Sequence, residues 1–338
     1  MNSITRDIYI LSRIKGVGPA ALNKIKEAGY SSINDLNSLG DEEELKNLIR
    51  GGVNQAHAIN IILNNADQHS DFIDNEIEQL GSIDIDILSK WDDDYPLGYK
   101  LLENKAPLFI YTKGNKDLLH EKNSIAIVGT RDCSNRGKQI AEITANRFAE
   151  KGYNIVSGLA EGIDTAAHNG ALFTKGKTTA VLVDVEHIFP EKNKNLSQEI
   201  LDNDGLLLAE NPPNTIPAGH LFVSRDRLQS GLSLAVFPIE TDIKGGTMHT
   251  VRFAEEQGRL LFVPDLKKDK DYDIQYEKAR GILELINSKR AETYSKENYK
   301  NIIEELNNKK EELYSEKIRK IKDDKEPSKK DDQIKLKL

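Results

Sequence analysis

Six short apolar runs, separated by five helical patterns, fill the middle of the chain and constrain its fold more than any other feature. The runs read SIAIVG, YNIVSG, TTAVLVDV, GLLLAE, LAVFPIE and RLLFVP, between Ser124 and Pro264. Apolar residues at nearly every position are typical of parallel strands that helices cover on both faces. The alternation therefore predicts a doubly wound, mostly parallel α/β sheet, with ligands at the carboxyl ends of its strands.

Both flanks of this region are predicted to be helical. Residues 1–80 carry apolar residues at helical spacing and form a predicted helical domain, ahead of a sheet domain at residues 81–270. A short strand is predicted at residues 108–111. Residues 271–338 become rich in alternating Lys and Glu or Asp, which predicts a solvated charged helix that frays into disorder by about Lys322.

The stretch IKGVGP at residues 14–19 lies between two helical patterns and fits a helix-hairpin-helix. The N–H groups of its glycine-rich turn can bind a DNA phosphate without reading bases. The same stretch also fits a packing motif in a helical bundle that does not contact DNA. Because residues 35–80 are acidic, both interpretations stay open.

Composition excludes several classes of protein. The formal net charge of −8 over 338 residues means that an anion site must come from a local cluster of cations. A single cysteine, Cys133, excludes an intramolecular disulfide and a multi-cysteine metal site, and it fits a reducing compartment. With no long apolar run and no signal-peptide pattern, we expect a cytoplasmic protein without a membrane span. We expect neither a metal nor a cofactor.

The loop after the first apolar run carries candidate phosphate ligands. Gly129 ends the run and is expected to shape the loop, and the candidate ligands Arg131, Ser134 and Arg136 lead into the next helical pattern. A guanidinium above a helix N-terminus suits a phosphate, which it can bind in bidentate fashion. The structural alternative is that Arg131 pairs with Asp132 or Asp164.

The second candidate loop reads SGLAEGIDTAAHNGAL. Ser157 and Gly158 stand where a dinucleotide-binding fold carries an acidic residue; together with the missing GxGxxG motif, this argues against NAD. We expect these two residues to face a phosphate backbone. Gly162, Asp164 and His168 are expected to shape the loop, with the last two as a hydrogen-bonded strut on one helix face, and an acid/base pair as the less favoured alternative.

The stretch FVSRDRLQSGLS predicts a helix start at which an aromatic ring lies beside two guanidiniums. Phe222 can stack on bases while Arg225 and Arg227 contact the backbone of a single strand. The two arginines do not face the same way, so we expect one of them to contribute most. The alternative places Phe222 in the core and pairs an arginine with Asp226 or Glu240.

A fourth loop completes the predicted site. It forms a turn onto another helix N-terminus, with Lys244, Gly245, Gly246 and Thr247. One such turn is a weak signal. Four loops at the same edge of the sheet predict a composite phosphate pocket, and this convergence is the strongest functional indication in the chain.

The motifs resemble those of the DNA-processing protein A family (DprA, also called Smf). In the family's order they read DDDYPLGYKLLENKAPLFIYTKGN, IAIVGTR, SGLAEGIDTAAHNGAL, FPEKNKNL, AENPP and FVSRDRLQSGLSLAVFPIE, over roughly residues 8–264. The resemblance implies a non-enzymatic protein with an extended Rossmann-like domain that binds single-stranded DNA. It also implies homodimers and loading of a RecA-type recombinase, in natural transformation or related DNA handling. By motif position, it assigns to the DNA pocket Arg131, Ser157, Gly158, Phe222 and Arg225.

The chain departs from the family pattern in places. Asp226 stands where the family carries asparagine, Val223 follows Phe222 where proline is usual, and the expected glycine-rich tail and winged-helix domain are missing after Pro264. The competing hypothesis is a nucleotide-binding sensor or nucleotide hydrolase, for example in phage defence, with Glu240 as the available carboxylate. A third hypothesis is an interaction adaptor that uses the charged C-terminal helix.

Overall fold

The computed structural model describes three stretches of the chain: residues 3–14, 17–28 and 66–325. The described residues exclude Lys15 and Gly16 at the predicted helix-hairpin-helix turn, and residues 29–65 of the predicted helical domain. They also exclude residues 326–338 of the segment that was predicted to fray into disorder by about Lys322. Among the described residues, no helix is long and apolar enough to cross a membrane.

The described elements alternate along most of the chain. The strands are β1 (Asp86–Ser89), β2 (Phe109–Gly114), β3 (Ser124–Val128), β4 (Asn154–Ser157), β5 (Thr178–Leu182), β6 (Leu206–Ala209), β7 (Ala235–Pro238), β8 (Leu260–Pro264) and β9 (Glu292–Tyr294). The helices are α1 (Ser3–Ser12), α2 (Pro19–Glu27), α3 (Ala66–Ser82), α4 (Leu97–Lys100), α5 (Asn135–Ala149), α6 (Ile163–Phe173), α7 (Lys194–Asp202), α8 (Gly219–Leu232), α9 (Thr247–Glu256), α10 (Arg280–Asn287) and α11 (Tyr299–Lys325). All six predicted apolar strands and the five helices between them are present.

The nine strands form one mixed sheet in the order β1-β2-β6-β5-β4-β3-β7-β8-β9. Strands β3 to β9 pair in parallel, whereas β2 pairs antiparallel with β1 and with β6. The predicted α/β, mostly parallel fold is therefore confirmed. The order in which the chain adds parallel strands to the sheet switches sides at β3, because β4 lies on one side of β3 and β7 on the other. The crevice outside the carboxyl ends of β3 and β7 is where ligands bind in sheets of this kind.

Both faces of the sheet are buried, as the apolar strands predict. In β6, Leu206 and Leu208 join one core cluster, whereas Leu207 and Ala209 join the other. Successive side chains of a strand point to opposite faces, so each cluster covers one face. The second cluster includes residues of α1 and α2, and the ring of Tyr9 lies edge-on against Phe109 of β2, with centroids 5.4 Å apart. The N-terminal helices thus pack directly on the sheet.

The C-terminal helix differs from its prediction as a solvated element. Ile302, Leu306 and Leu313 of α11 are at most 6% exposed and belong to the main core cluster. These positions follow helical spacing of four and seven residues, so a narrow apolar stripe faces the protein while Lys and Glu cover the rest. Because Lys and Glu or Asp dominate this part of the sequence, the few apolar positions of the stripe were not recognised as core residues. The short edge strand β9, in the same region, was also not predicted.

Candidate nucleic-acid interface

A cavity of about 640 Å³ opens at the carboxyl ends of β3 and β7. Its walls come from the loop after β3, the loop after β4, the loop after β7 and the first half of α8. These are the four segments that the sequence predicted to converge. The size is within the range of roughly 300–1,000 Å³ that is usual for ligand pockets.

Arg225 lies inside the cavity wall rather than at its mouth. It is 7% exposed, and its Nη1 donates to the carbonyl oxygens of Gly158 at 2.5 Å and Val181 at 3.0 Å. A Cβ at position 158 would lie 2.5 Å from that same Nη1. A larger residue at 158 would displace the guanidinium from these carbonyl oxygens, and Arg225 links α8 to the loop after β4.

The loops after β3 and β4 pack against each other. Gly162 has a φ of +82°, and a Cβ there would lie 2.4 Å from the carbonyl oxygens of Thr130 and Arg131. A Cβ on Gly129 would collide with the side chain of Ile163 at 2.5 Å. Only glycine fits both places, so the two turns form one rigid wall.

Asp164 holds the loop after β4 in shape. It is 5% exposed, and its Oδ2 accepts the N–H groups of Gly158 at 3.2 Å and Ala160 at 3.3 Å. Burial raises the pKa of this carboxyl, against the charge of Arg225 and the N–H donors. The geometry is that of a structural acceptor, and the same residue lines the cavity.

Two expectations for this loop are corrected. His168 is fully buried and bonds through Nδ1 to Thr178 Oγ1 at 2.8 Å, not to Asp164, so the predicted strut does not form. Burial, reinforced by Arg225, lowers the pKa of His168 to about 3, which keeps the ring neutral. Ser157 is also fully buried, and its hydroxyl donates to the carbonyl oxygen of Ile127 at 2.7 Å, so it does not face a ligand.

Arg131 and Phe222 form the mouth of the cavity. The Arg131 guanidinium carbon lies 5.5 Å from the ring centroid of Phe222, within cation–π range, and Phe189 packs on the same ring with centroids 5.5 Å apart. Arg131 is exposed and makes no ion pair within the described part of the chain, so the predicted alternatives with Asp132 and Asp164 are not formed. Phe222 is half-buried and lines the cavity rather than the core.

The loop after β7 and the start of α9 form another wall. Gly245, Gly246 and Thr247 line the cavity, together with His249 and Thr250 of α9. Lys244 is exposed and lies outside the lining. Lys278, which the sequence analysis did not select, does line it, although its Nζ lies 2.6 Å from Oε1 of Glu277.

Three predicted phosphate ligands are engaged elsewhere. Ser134 caps α5 by accepting the N–H of Gly137 at 2.8 Å. Arg136 donates from Nε to Oδ2 of Asp269 at 2.9 Å, and Arg227 forms a two-pronged ion pair with Glu210 on the other side of α8. None of the three lines the cavity. Ser134 also donates to Glu240, so in each case a carboxylate outside the motif binds the side chain.

Glu240 is a structural carboxylate. It is fully buried and accepts from the Ser134 hydroxyl at 2.6 Å and the Tyr272 hydroxyl at 2.7 Å. It does not line the cavity. The hydrolase hypothesis required this carboxylate to reach a ligand, and the observed hydrogen bonds hold it away from one.

The floor of the cavity is formed by Asp226 and Gln229 of α8, and the sequence did not predict this role for them. Gln229 is 1% exposed, and its Nε2 donates to Oδ1 of Asp226 at 3.1 Å. Burial raises the pKa of Asp226 to about 6, although Arg225 acts in the opposite direction. The signal was present in the sequence, because Phe222, Arg225, Asp226 and Gln229 are spaced three, four and seven residues along one helix face.

The doubly wound sheet with a ligand cavity at its switch point places the chain among Rossmann-like α/β proteins. The chain belongs to the DNA recombination-mediator protein A family, whose family model matches residues 86–307. The resemblance stated from the motifs is thereby confirmed.

Named relatives agree with this assignment. The chain is 37% identical to DNA processing protein DprA of Bacillus subtilis over 169 residues, 50% of this chain and 56% of that protein. It is 39% identical to the DprA of Streptococcus pneumoniae over 172 residues, 51% of this chain and 60% of that protein. The matches thus span less than two thirds of these relatives.

Two solved structures are similar over more of the chain. The X-ray structure of S. pneumoniae DprA matches with a TM-score of 0.70 and 28% identity, over 87% of this chain and 95% of that one. DprA from Helicobacter pylori, whose structure describes a single-stranded DNA binding mode, matches with a TM-score of 0.56 and 27% identity, over 65% and 95% of the two chains.

Proposed function

We propose that this protein binds single-stranded DNA, without catalysing a reaction, in the cavity at the carboxyl edge of its sheet. The observation that carries the proposal is the pairing of Arg131 with Phe222 at the cavity mouth. Arg131 is exposed and has no carboxylate partner among the described residues, so its charge is available to a ligand. An aromatic ring beside such a cation suits a strand whose bases are unpaired.

The chemistry of the mouth matches the chemistry of a single strand. Bases stack on an aromatic face, which is worth about 1–3 kcal/mol per base and tolerates any sequence. The guanidinium neutralises a phosphate, and the N–H groups at the start of α9 supply further donors beside Gly246 and Thr247. The H. pylori relative, described in a single-stranded DNA binding mode, supports the same ligand for this chain.

Further parts of the proposal rest on the family. We infer that the chain forms homodimers and assists a RecA-type recombinase in DNA uptake or recombination. The first part is tested by sedimentation equilibrium of the full chain, in which a monomer at micromolar concentration contradicts it. The second part is tested by recombinase filament formation on a strand coated with a single-strand-binding protein.

Fluorescence anisotropy with a thymine oligonucleotide of about 15 nucleotides, a length that covers common single-strand sites, tests the DNA-binding proposal. We expect tight binding at low salt that weakens as salt rises, because phosphate contacts release counterions. Replacing Arg131→Ala should weaken binding about tenfold or more, since it removes both a phosphate contact and the cation beside Phe222.

A matched control separates the cavity from general charge. Arg136→Ala removes an arginine from the same loop, but that arginine is paired with Asp269 outside the cavity. It should leave binding within about twofold, well below the tenfold step of 1.4 kcal/mol. Equal losses in both variants, or no binding of any single strand at low salt, contradict the proposed site.

A further inference from the structure

The motif FPEKNKNL leads from β5 into α7 and brings a second aromatic ring to the cavity. Its first residue, Phe189, lines the cavity and is 47% exposed to solvent. The residues on either side are held in place: Ile188 packs on the second core cluster, and Asn193 donates from Nδ2 to the carbonyl oxygen of Leu159 at 2.8 Å. The exposed ring is therefore carried by a segment that is attached to the protein on both sides.

The two rings at the cavity mouth differ in how far protein groups already surround them. Phe222 is half-buried, and two guanidinium carbons lie over its ring, that of Arg131 at 5.5 Å from the centroid and that of Arg225 at 5.7 Å. Among the aromatic and cationic side chains that the structure describes, Phe189 contacts only Phe222, with centroids 5.5 Å apart and ring planes inclined at 49°. Phe189 therefore has more aromatic surface left for a ligand.

The spacing of the two rings decides how a base can stack on them. Carbon atoms in contact keep about 3.5–4.0 Å between them, so a base held between two rings needs about twice that separation. At 5.5 Å, and with inclined planes, Phe189 and Phe222 leave no room for a base between them. A base therefore stacks on the exposed side of Phe189. Because Arg131 contacts the same ring of Phe222, a phosphate on its guanidinium and this base belong to the same nucleotide or to neighbouring ones.

We propose that Phe189 stacks on a base of the bound strand at the cavity mouth, while Phe222 positions Arg131 for the phosphate beside that base. The inference rests on the proposed function, since it divides the contacts of the same site between two rings. Stacking on an aromatic face tolerates any base, so this contact adds affinity without reading sequence. The segment between β5 and α7 thereby contributes to the site together with the four segments that the sequence predicted.

Fluorescence anisotropy of the full chain with two strands of about 15 nucleotides tests the inference: a thymine strand, and an abasic strand that keeps the sugar-phosphate backbone without bases. Phe189→Leu should weaken binding of the thymine strand about tenfold, because leucine keeps an apolar side chain but removes the stacking face. Binding of the abasic strand, which has nothing to stack, should stay within about twofold of wild type. Phe222→Leu should instead weaken binding of both strands, since Arg131 loses the ring over which it lies.

Phe173→Leu is the matched control, because Phe173 is 85% exposed at the end of α6 and lies outside the cavity lining. It should leave binding of both strands within about twofold of wild type. In Phe189→Leu, equal losses on the two strands, or no loss on the thymine strand, overturn the inference and leave single-strand binding intact. Failure of the wild type to bind the thymine strand at low salt overturns the proposed function instead.

Phe189→Trp provides an optical test of the same contact. Tryptophan keeps a stacking face, so affinity for the thymine strand should be retained within about twofold. Its fluorescence should be quenched when the thymine strand binds and not when the abasic strand binds. The chain has one tryptophan, Trp91, so the wild type supplies the background signal. Unchanged fluorescence of Phe189→Trp with the thymine strand bound contradicts stacking at this position.

Discussion

Arg131 and Arg225 lie in the same cavity, but they differ in what already holds them. The Nη1 of Arg225 donates to the carbonyl oxygens of Gly158 and Val181, so Arg225 mainly determines the shape of the cavity wall. The Arg131 guanidinium lies over the ring of Phe222 and forms no ion pair with any of the residues that the structure describes. A motif shows that both residues are arginines, but only the fold shows which of them remains available to an anion.

Asp226 gives the cavity a pH-dependent charge. Burial raises its pKa from 3.8 to about 6, so the folded protein binds this proton where the unfolded chain does not. The charged groups around it are Arg225 on its own helix, Asp164 on α6, Arg131 after β3, and His249 and Lys278 across the cavity. Protonation of Asp226 therefore contributes to the free energy of unfolding in full below pH 4, and this contribution is lost as pH rises through 6.

We therefore expect Asp226→Asn to be more stable than the wild type at pH 7 by about 3 kcal/mol, with the difference shrinking as pH falls to 4.5. The physical reason is that asparagine carries no charge to bury. Urea unfolding of both proteins at several pH values measures the difference. A difference that stays constant with pH contradicts the assignment.

At the scale of the element, helix α8 separates two functions by its faces. Phe222, Arg225, Asp226 and Gln229 face the cavity, whereas Arg227 lies on the far side and pairs with Glu210. Burial raises the pKa of Glu210, but the hydrogen bonds and charge of Arg227 more than offset it, so the net pKa is lowered. The pair joins α8 to the segment after β6, away from the ligand.

Arg227→Met should therefore affect stability and not binding. It leaves the buried Glu210 carboxylate without its cation, which costs about 3–5 kcal/mol when one partner of a buried ion pair is removed. Urea denaturation at pH 7 measures the loss, and anisotropy with a thymine strand should show affinity within about twofold of wild type, below the tenfold step of 1.4 kcal/mol. A large loss of affinity in a folded Arg227→Met protein would show that the far side of α8 also contacts DNA.

At the scale of the whole molecule, sequence patterns predicted the parts that repeat and missed the parts that depend on distant partners. Six strands followed from continuous apolar runs, three loops from their glycines, and the start of α8 from an aromatic residue beside two arginines. The carboxylates that bind Ser134, Arg136 and Arg227 lie 17 to 133 residues away in sequence, so no local pattern shows them. The three-residue strand β9 was too short for any periodicity.

The C-terminal helix α11 is the clearest consequence of such distant packing. Leu306 is fully buried in the main core, so Leu306→Ala should lower the free energy of unfolding by about 2–5 kcal/mol. Glu304→Ala, two residues away and exposed, is the matched control and should change it by less than about 0.5 kcal/mol. Denaturant unfolding of the full chain measures the free energy of unfolding of both variants. Equal and small changes in the two variants would indicate that α11 is solvated instead of packed on the core.

The cavity walls come from segments between Val128 and Lys278, separated along the chain by several strand crossovers. No single segment holds a complete wall, so the cavity exists only after the last crossover has closed. A ligand bound there interacts with the finished fold alone and stabilises it by mass action. Binding of a DNA strand therefore reports that the whole fold has assembled. An incompletely folded chain still contains every motif but lacks the cavity.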